Sequence, residues 1–178
     1  MAAWIGLGAA VVFLALWAAQ TRRTLAALDA NVASAMDQIG VQLSSRIDAL
    51  TTLTRQLEPY DGEAARRMSA MLCQCCGTVT GVSGPGEVQR QEDVIQTVIE
   101  QVRTVAGQHP EVRADARCTG QWQAVESYGK MLCTSHLIYN DSAEKLNRCL
   151  GRFPAVLLAK ALGIHKRGYI KAAPRCQR

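Results

Sequence analysis

Apolar residues recur at threes and fours along most of the chain. The pattern begins with an uncharged run, Met1 to Thr21. A helix of that length is about 32 Å long, enough to cross the hydrocarbon core of a bilayer. The helical spacing continues through Leu25, Leu28, Val32, Ile39, Leu43, Leu50, Leu53 and Leu57, so the sequence predicts a membrane span that runs on into water as the first helix of a bundle. Pro59, with Asp61 and Gly62, ends it, because the residue before a proline is pushed out of the α region. A second helix is predicted over 61–76, with Met68, Met71 and Leu72 facing inward. A glycine-rich loop follows at 77–86. A third helix is predicted over 87–108, burying Val94, Ile95, Val98, Val102 and Val105. The fourth, over 111–153, places Cys118, Trp122, Val125, Gly129, Leu132, His136, Tyr139, Ala143, Leu146, Leu150 and Phe153 at alternating spacings of four and three, which is a heptad seam. A short apolar segment from Ala155 to Gly163 precedes a basic, irregular tail from Ile164 to Arg178.

The predicted fold is all-α, an N-terminal transmembrane helix continuing into an antiparallel up-and-down four-helix bundle. Residues 1–21 form the anchor, 22–163 the bundle and 164–178 the tail. Composition agrees. Hydrophobic residues are 48% of the 178, enough for one core, while aromatics are 5%, and the balance favours helix over strand. Trp4 and Trp17 lie near the two ends of the span, where indole rings favour the interface. A cleaved signal peptide would need a basic stretch before the apolar run, and none is present.

Charge orients the chain. Arg22 and Arg23 follow the span, so the positive-inside rule places the N-terminus outside and the body in the cytoplasm, as a single-pass plasma-membrane protein. Seven cysteines without the regular spacing of a secreted framework fit a reducing compartment. Residues 1–144 hold 11 basic and 15 acidic groups, whereas from Lys145 onward there are nine basic groups and no acid. An up-and-down bundle returns this basic end to the bilayer, where each Lys or Arg near anionic lipid gains roughly 1 kcal/mol. Lys160, Lys166, Arg167 and Lys171 are accordingly expected to face lipid headgroups.

Few residues suggest chemistry. Cys73, Cys75 and Cys76 are the closest cluster, and as thiols they could sense oxidants or metals. The second Cys-x-x-Cys pair that zinc commonly uses is missing, and the ordinary reading of these cysteines is small buried apolar residues. His136, on the heptad seam, is a candidate pH sensor or a core histidine. His109 and His165 belong to turn and surface. The loop glycines lack the preceding strand and the following Gly-Lys-Ser/Thr of a phosphate cradle. Arg46 borders the apolar stripe of the first helix and requires polar company. Gln42, Asp48, Tyr139 and Asn140 are the residues expected near it.

Two stretches resemble the LemA family of membrane-anchored bacterial helical proteins. Ile39-Gly40-Val41-Gln42-Leu43-Ser44-Ser45-Arg46-Ile47-Asp48-Ala49-Leu50 is similar to the family's I-D-V-Q-L-x-R-R-x-D-L-I run. Tyr139-Asn140 with Asn147 and Phe153-Pro154 resembles its Y-N…N…F-P ending. Between them, His109-Pro110-Glu111-Val112-Arg113-Ala114-Asp115 resembles its Y-P-D-L-K-A-N turn. Tyr60, Glu63 and Gly163-Ile164 match further positions. The chain departs from the family where Thr51 replaces a proline, where Ser45-Arg46 replaces a double arginine, and where Gly129 and His136 replace a glutamate and an arginine on the long helix.

The resemblance implies a role at a membrane and no particular reaction. From the need of Arg46 for polar company, Gln42, Arg46, Tyr139, Asn140 and Asn147 are expected to form one structural polar network. The function expected is a scaffold or interaction module at the cytoplasmic face, binding a protein partner or a second copy. No enzymatic reaction, cofactor, metal or nucleic acid is implied. The alternative is a thiol- or metal-responsive sensor using Cys73, Cys75 and Cys76.

Overall fold

The structure is a computed structural model that describes residues 2–75, 77–152 and 155–171, with backbone alone for 2–7 and 9–11. The described residues form six helices: α1 Ala2–Gln56, α2 Gly62–Gln74, α3 Pro85–Gln108, α4 Pro110–Ala114, α5 Ala116–Leu150 and α6 Ala155–Leu162. There is no strand among the described residues, so the predicted all-helical class is observed.

Paired contacts give the directions. Arg46 lies against Gly129, while Leu53 shares a cavity with Cys118 and Trp122. Rising numbers on α1 therefore meet falling numbers on α5. The same holds for α2 against α1, where Thr54 bonds Ser69 at one end and Val79 abuts Gly40 just beyond the other. In turn, α3 runs antiparallel to α2, with Gln101 at Met71 and Gln91 at Gly77. It also opposes α5, with Arg103 over Trp122 and Glu92 beside His136. The long helices thus alternate down, up, down and up.

The seam on α5 is buried at Cys118, Val125, Leu132, His136, Tyr139, Ala143, Leu146 and Leu150, and half-buried at Trp122 and Gly129. Phe153 and Pro154 lie outside the described residues. On α1, Leu25, Val32, Met36, Ile39, Leu43, Leu50 and Leu53 are buried, as is Leu57 just beyond its end. Each such side chain contributes about 1.5–3 kcal/mol on burial.

The predicted fourth helix, 111–153, is broken. Asp115 takes an extended backbone (φ −71°, ψ 112°) and its carboxylate accepts the Arg117 N–H. This is an N-cap that starts α5 afresh after the short α4. At the other end α5 stops at Leu150, capped by Gly151.

The predicted anchor needs separate mention. α1 is continuous from Ala2, at 55 residues about 82 Å long. Among the described residues no helix is long and apolar enough to cross a membrane. The predicted span falls largely on positions 1–11, where most side chains lie outside the description.

Residues 77–84 return across α1. Asp37 accepts the Gly81 N–H at 2.6 Å, and Val79 is buried. Gly40 makes this crossing possible, since a Cβ there would overlap the Val79 carbonyl oxygen. Gly40→Ala should therefore cost about 1–3 kcal/mol of stability. Gly107→Ala, where a Cβ meets nothing, should be neutral or gain up to about 1 kcal/mol. Denaturant unfolding of the two variants measures the difference.

Candidate functional site

Two polar centres stand where sequence suggests one. The lower centre lies between α1, α3 and α5. Arg46 is buried on α1, Glu92 on α3 and His136 on α5. The guanidinium of Arg46 lies against the α carbon of Gly129, with Nη2 3.0 Å from where a Cβ would stand. Glycine at this position gives the arginine its room. The Glu92 carboxylate lies within the field of Arg46 and its Oε1 is 3.8 Å from His136 Nε2. Neither His136 nitrogen has a hydrogen-bond partner, and Glu92 Oε2 has none. A separation of 3.8 Å is too long for a hydrogen bond.

Desolvation dominates both titrations. Burial raises Glu92 to about 7, with Arg46 pulling the other way and Asp93 adding a little. Burial lowers His136 to about 4. At neutral pH the histidine is therefore uncharged, and the contact is not an ion pair despite its charged composition. Between about pH 4.5 and 6.5 the unfolded chain carries a proton on the histidine, whereas the folded protein carries one on the Glu92 carboxyl instead.

Glu92 was not among the residues singled out from sequence. Its signal is present, because Val88, Glu92, Ile95, Ile99 and Val102 recur at four and three, and all are buried.

The upper centre holds the tail. Asn147 Nδ2 donates to the Arg167 carbonyl at 2.8 Å, and its Oδ1 accepts the Arg167 N–H at 2.9 Å. Asn140 repeats the arrangement on Ile170, both bonds at 2.9 Å. Between them, the Tyr139 hydroxyl donates to the Gly168 carbonyl at 3.0 Å. The spacings match. Two helical turns from Asn140 to Asn147 rise about 10.5 Å, and three extended residues from Arg167 to Ile170 span about 10 Å. Each asparagine amide thus acts as a strand partner for one residue of the tail. Gly168 meanwhile packs against Pro85 at the start of α3.

The expected single network is therefore divided. Tyr139, Asn140 and Asn147 bond the tail backbone, not Arg46 or Gln42. The Gln42 amide oxygen is buried without a partner. Among the residues expected to face lipid, Lys160, Lys166 and Lys171 are exposed. Arg167 is not available in the same way, because its Nη2 pairs with Asp29 Oδ1 of α1 at 3.0 Å and its side chain is 32% exposed. The tail is irregular as expected, yet held on three helices.

The cysteines differ in burial and in bonding. Cys73 is an exposed free thiol and Cys75 is buried, while Cys76 lies outside the described residues. Cys118 and Cys149 are also free thiols, but Cys133 is disulfide-bonded. Among the described residues no group of three or more His, Cys, Asp or Glu could hold a metal ion.

The pH dependence of the lower centre is checkable. Glu92, raised when folded, contributes stability that is full below about 4.5 and lost as pH rises through about 7. His136, lowered when folded, does the reverse and destabilises as pH falls from about 6.5 through about 4. Between these limits the two slopes cancel in the native pair. His136→Gln should expose a stability that falls by up to about 1.4 kcal/mol per pH unit as pH rises from 4.5 to 7, and Glu92→Gln one that rises by as much from 4 to 6.5. Unfolding midpoints measured across pH 4–8 would show the opposite slopes.

The model of the LemA family matches residues 35–178. No curated protein matches the chain at a significant level. The match takes in the α1 residues around Arg46, both polar centres and the tail that the second of them holds, so the chain belongs to the LemA family.

Proposed function

We propose that this protein is a membrane-anchored helical scaffold, held by residues 1–21 and presenting its bundle to a protein partner at the cytoplasmic face, with no reaction of its own. The observation that carries the reading is the N-terminal projection of α1. Val12, Phe13, Leu14 and Leu16 are 58%, 70%, 60% and 67% exposed. Four large apolar side chains within five residues, uncovered by the rest of the bundle, call for an apolar surrounding. They continue an uncharged run from Met1, and Trp17 stands at its edge. The ends of α5 and α6 and the exposed Lys160 and Lys166 lie toward the same end of α1, which supports contact with anionic headgroups, whereas Lys171, next to the Ile170 that bonds Asn140, stands farther down the bundle. Family membership adds a consistent setting without a specific activity.

One observation favours a second reading of orientation. A disulfide at Cys133 belongs more naturally to an oxidising compartment than to the cytosol. Arg22 and Arg23 favour the cytoplasm. The exposed free thiol of Cys73 decides between them. A membrane-impermeant maleimide applied to intact cells should leave Cys73 unlabelled and label it after lysis, with Cys73→Ser as the control. Labelling of intact cells would place the body on the outer face. Recovery of the chain in the carbonate-soluble fraction would remove the anchor itself.

A further inference from the structure

The lower end of the bundle carries a groove that neither polar centre uses. It has a volume of about 540 Å³, within the usual range of ligand-binding pockets. Leu53 of α1, Val102 and Ala106 of α3, Val112 of α4 and Cys118 of α5 form an apolar floor. Three larger side chains shape the mouth. Trp122 is half-buried, and the Arg103 guanidinium carbon lies 5.6 Å from its ring centroid. Arg113 stands on the short α4 and also lines the groove.

The two arginines are exposed and neither has a carboxylate partner among the described residues. Asp115, which could have neutralised Arg113, instead pairs with Arg117 at 3.1 Å. An apolar floor flanked by two uncompensated guanidiniums attracts an apolar group bordered by carboxylates, since guanidinium and carboxylate pair with two parallel hydrogen bonds. The mouth residues are Trp and Arg, the types that dominate binding energy at protein interfaces. Stacking of Arg103 on Trp122 holds the ring in place before any partner arrives, which reduces the ordering cost of binding.

We infer that this groove docks an acidic segment of a partner protein through one or two large apolar side chains, with flanking carboxylates on Arg103 and Arg113. The inference rests on the scaffold reading and names the docking surface that reading requires. Along α1, Leu53 lies 28 residues beyond Leu25, about 42 Å, so the groove faces away from the proposed membrane end and is open to a soluble partner.

The experiment uses the full chain in zwitterionic nanodiscs, with Trp4→Phe and Trp17→Phe so that Trp122 is the sole indole. The probe is the peptide acetyl-EEFLEE-amide. A saturable change in Trp122 emission is expected. Arg113→Glu, which leaves the Arg103–Trp122 stack untouched, should weaken it at least about tenfold, and Arg103→Glu with Arg113→Glu should abolish it. Acetyl-EEGSEE-amide and acetyl-KKFLKK-amide should not bind. The inference is overturned if the first peptide gives no saturable change, if the glycine-serine peptide binds equally well, if the lysine peptide binds, or if Arg113→Glu has no effect. Co-elution of the chain with the nanodiscs reports membrane attachment separately, so loss of peptide binding and loss of anchoring are distinct results.

Discussion

Two asparagines seven residues apart on α5 hold two residues three apart in an extended tail, and the closure of the upper bundle depends on that match. The helix rises and the strand extends by nearly the same distance, so both amides can pair at once. Five hydrogen bonds between Tyr139, Asn140 and Asn147 and the tail backbone contribute about 5 kcal/mol at about 1 kcal/mol each. Burial of Ile170 adds about 1.5–3 kcal/mol. Ordering the backbone of the four residues concerned costs about 4–8 kcal/mol. The terms nearly balance, so the tail stays docked by a small margin and opens more readily than the helices beneath it. The Arg167–Asp29 pair ties it to α1 as well.

The lower centre follows a different logic. Arg46, Glu92 and His136 come from three helices and fill space that apolar side chains could have filled. Burying them lends specificity of register more than stability. Gly129 and His136 depart from the family pattern together, and the structure gives a reason for each. A side chain at position 129 would crowd the Arg46 guanidinium, which would have to give by a few tenths of an ångström. With no carboxylate available from that position, the acid beside Arg46 comes from α3 as Glu92. A neutral histidine then sits where an arginine would have placed a second positive charge near Arg46.

The helices and their buried faces were legible because burial imposes a period, and α1, α3 and α5 keep it over many turns. The restart at Asp115 was not, because capping depends on one backbone conformation and a carboxylate reaching two residues onward. Asn140 and Asn147 were marked as polar residues on or beside a buried seam, but their partner was misassigned. An irregular segment leaves no periodic trace, and its peptide groups bond with equal ease whatever their side chains. Arg167 was expected to face lipid headgroups for the same reason, since Asp29 lies 138 positions away along the chain. Glu92 followed the α3 stripe in plain view, yet the flanking Arg90, Gln91 and Asp93 give it the appearance of a solvated face. The groove at Trp122 was invisible in sequence, because it forms where four helices end at different heights.

Amide hydrogen exchange tests the closure most directly. The N–H groups of Arg167 and Ile170 should be protected in the native protein, less strongly than those of Val98 or Leu132. In Asn140→Ala with Asn147→Ala they should exchange at the rate of unstructured chain, while the α3 and α5 amides keep their protection. Unchanged protection of Arg167 and Ile170 in that variant would contradict the account.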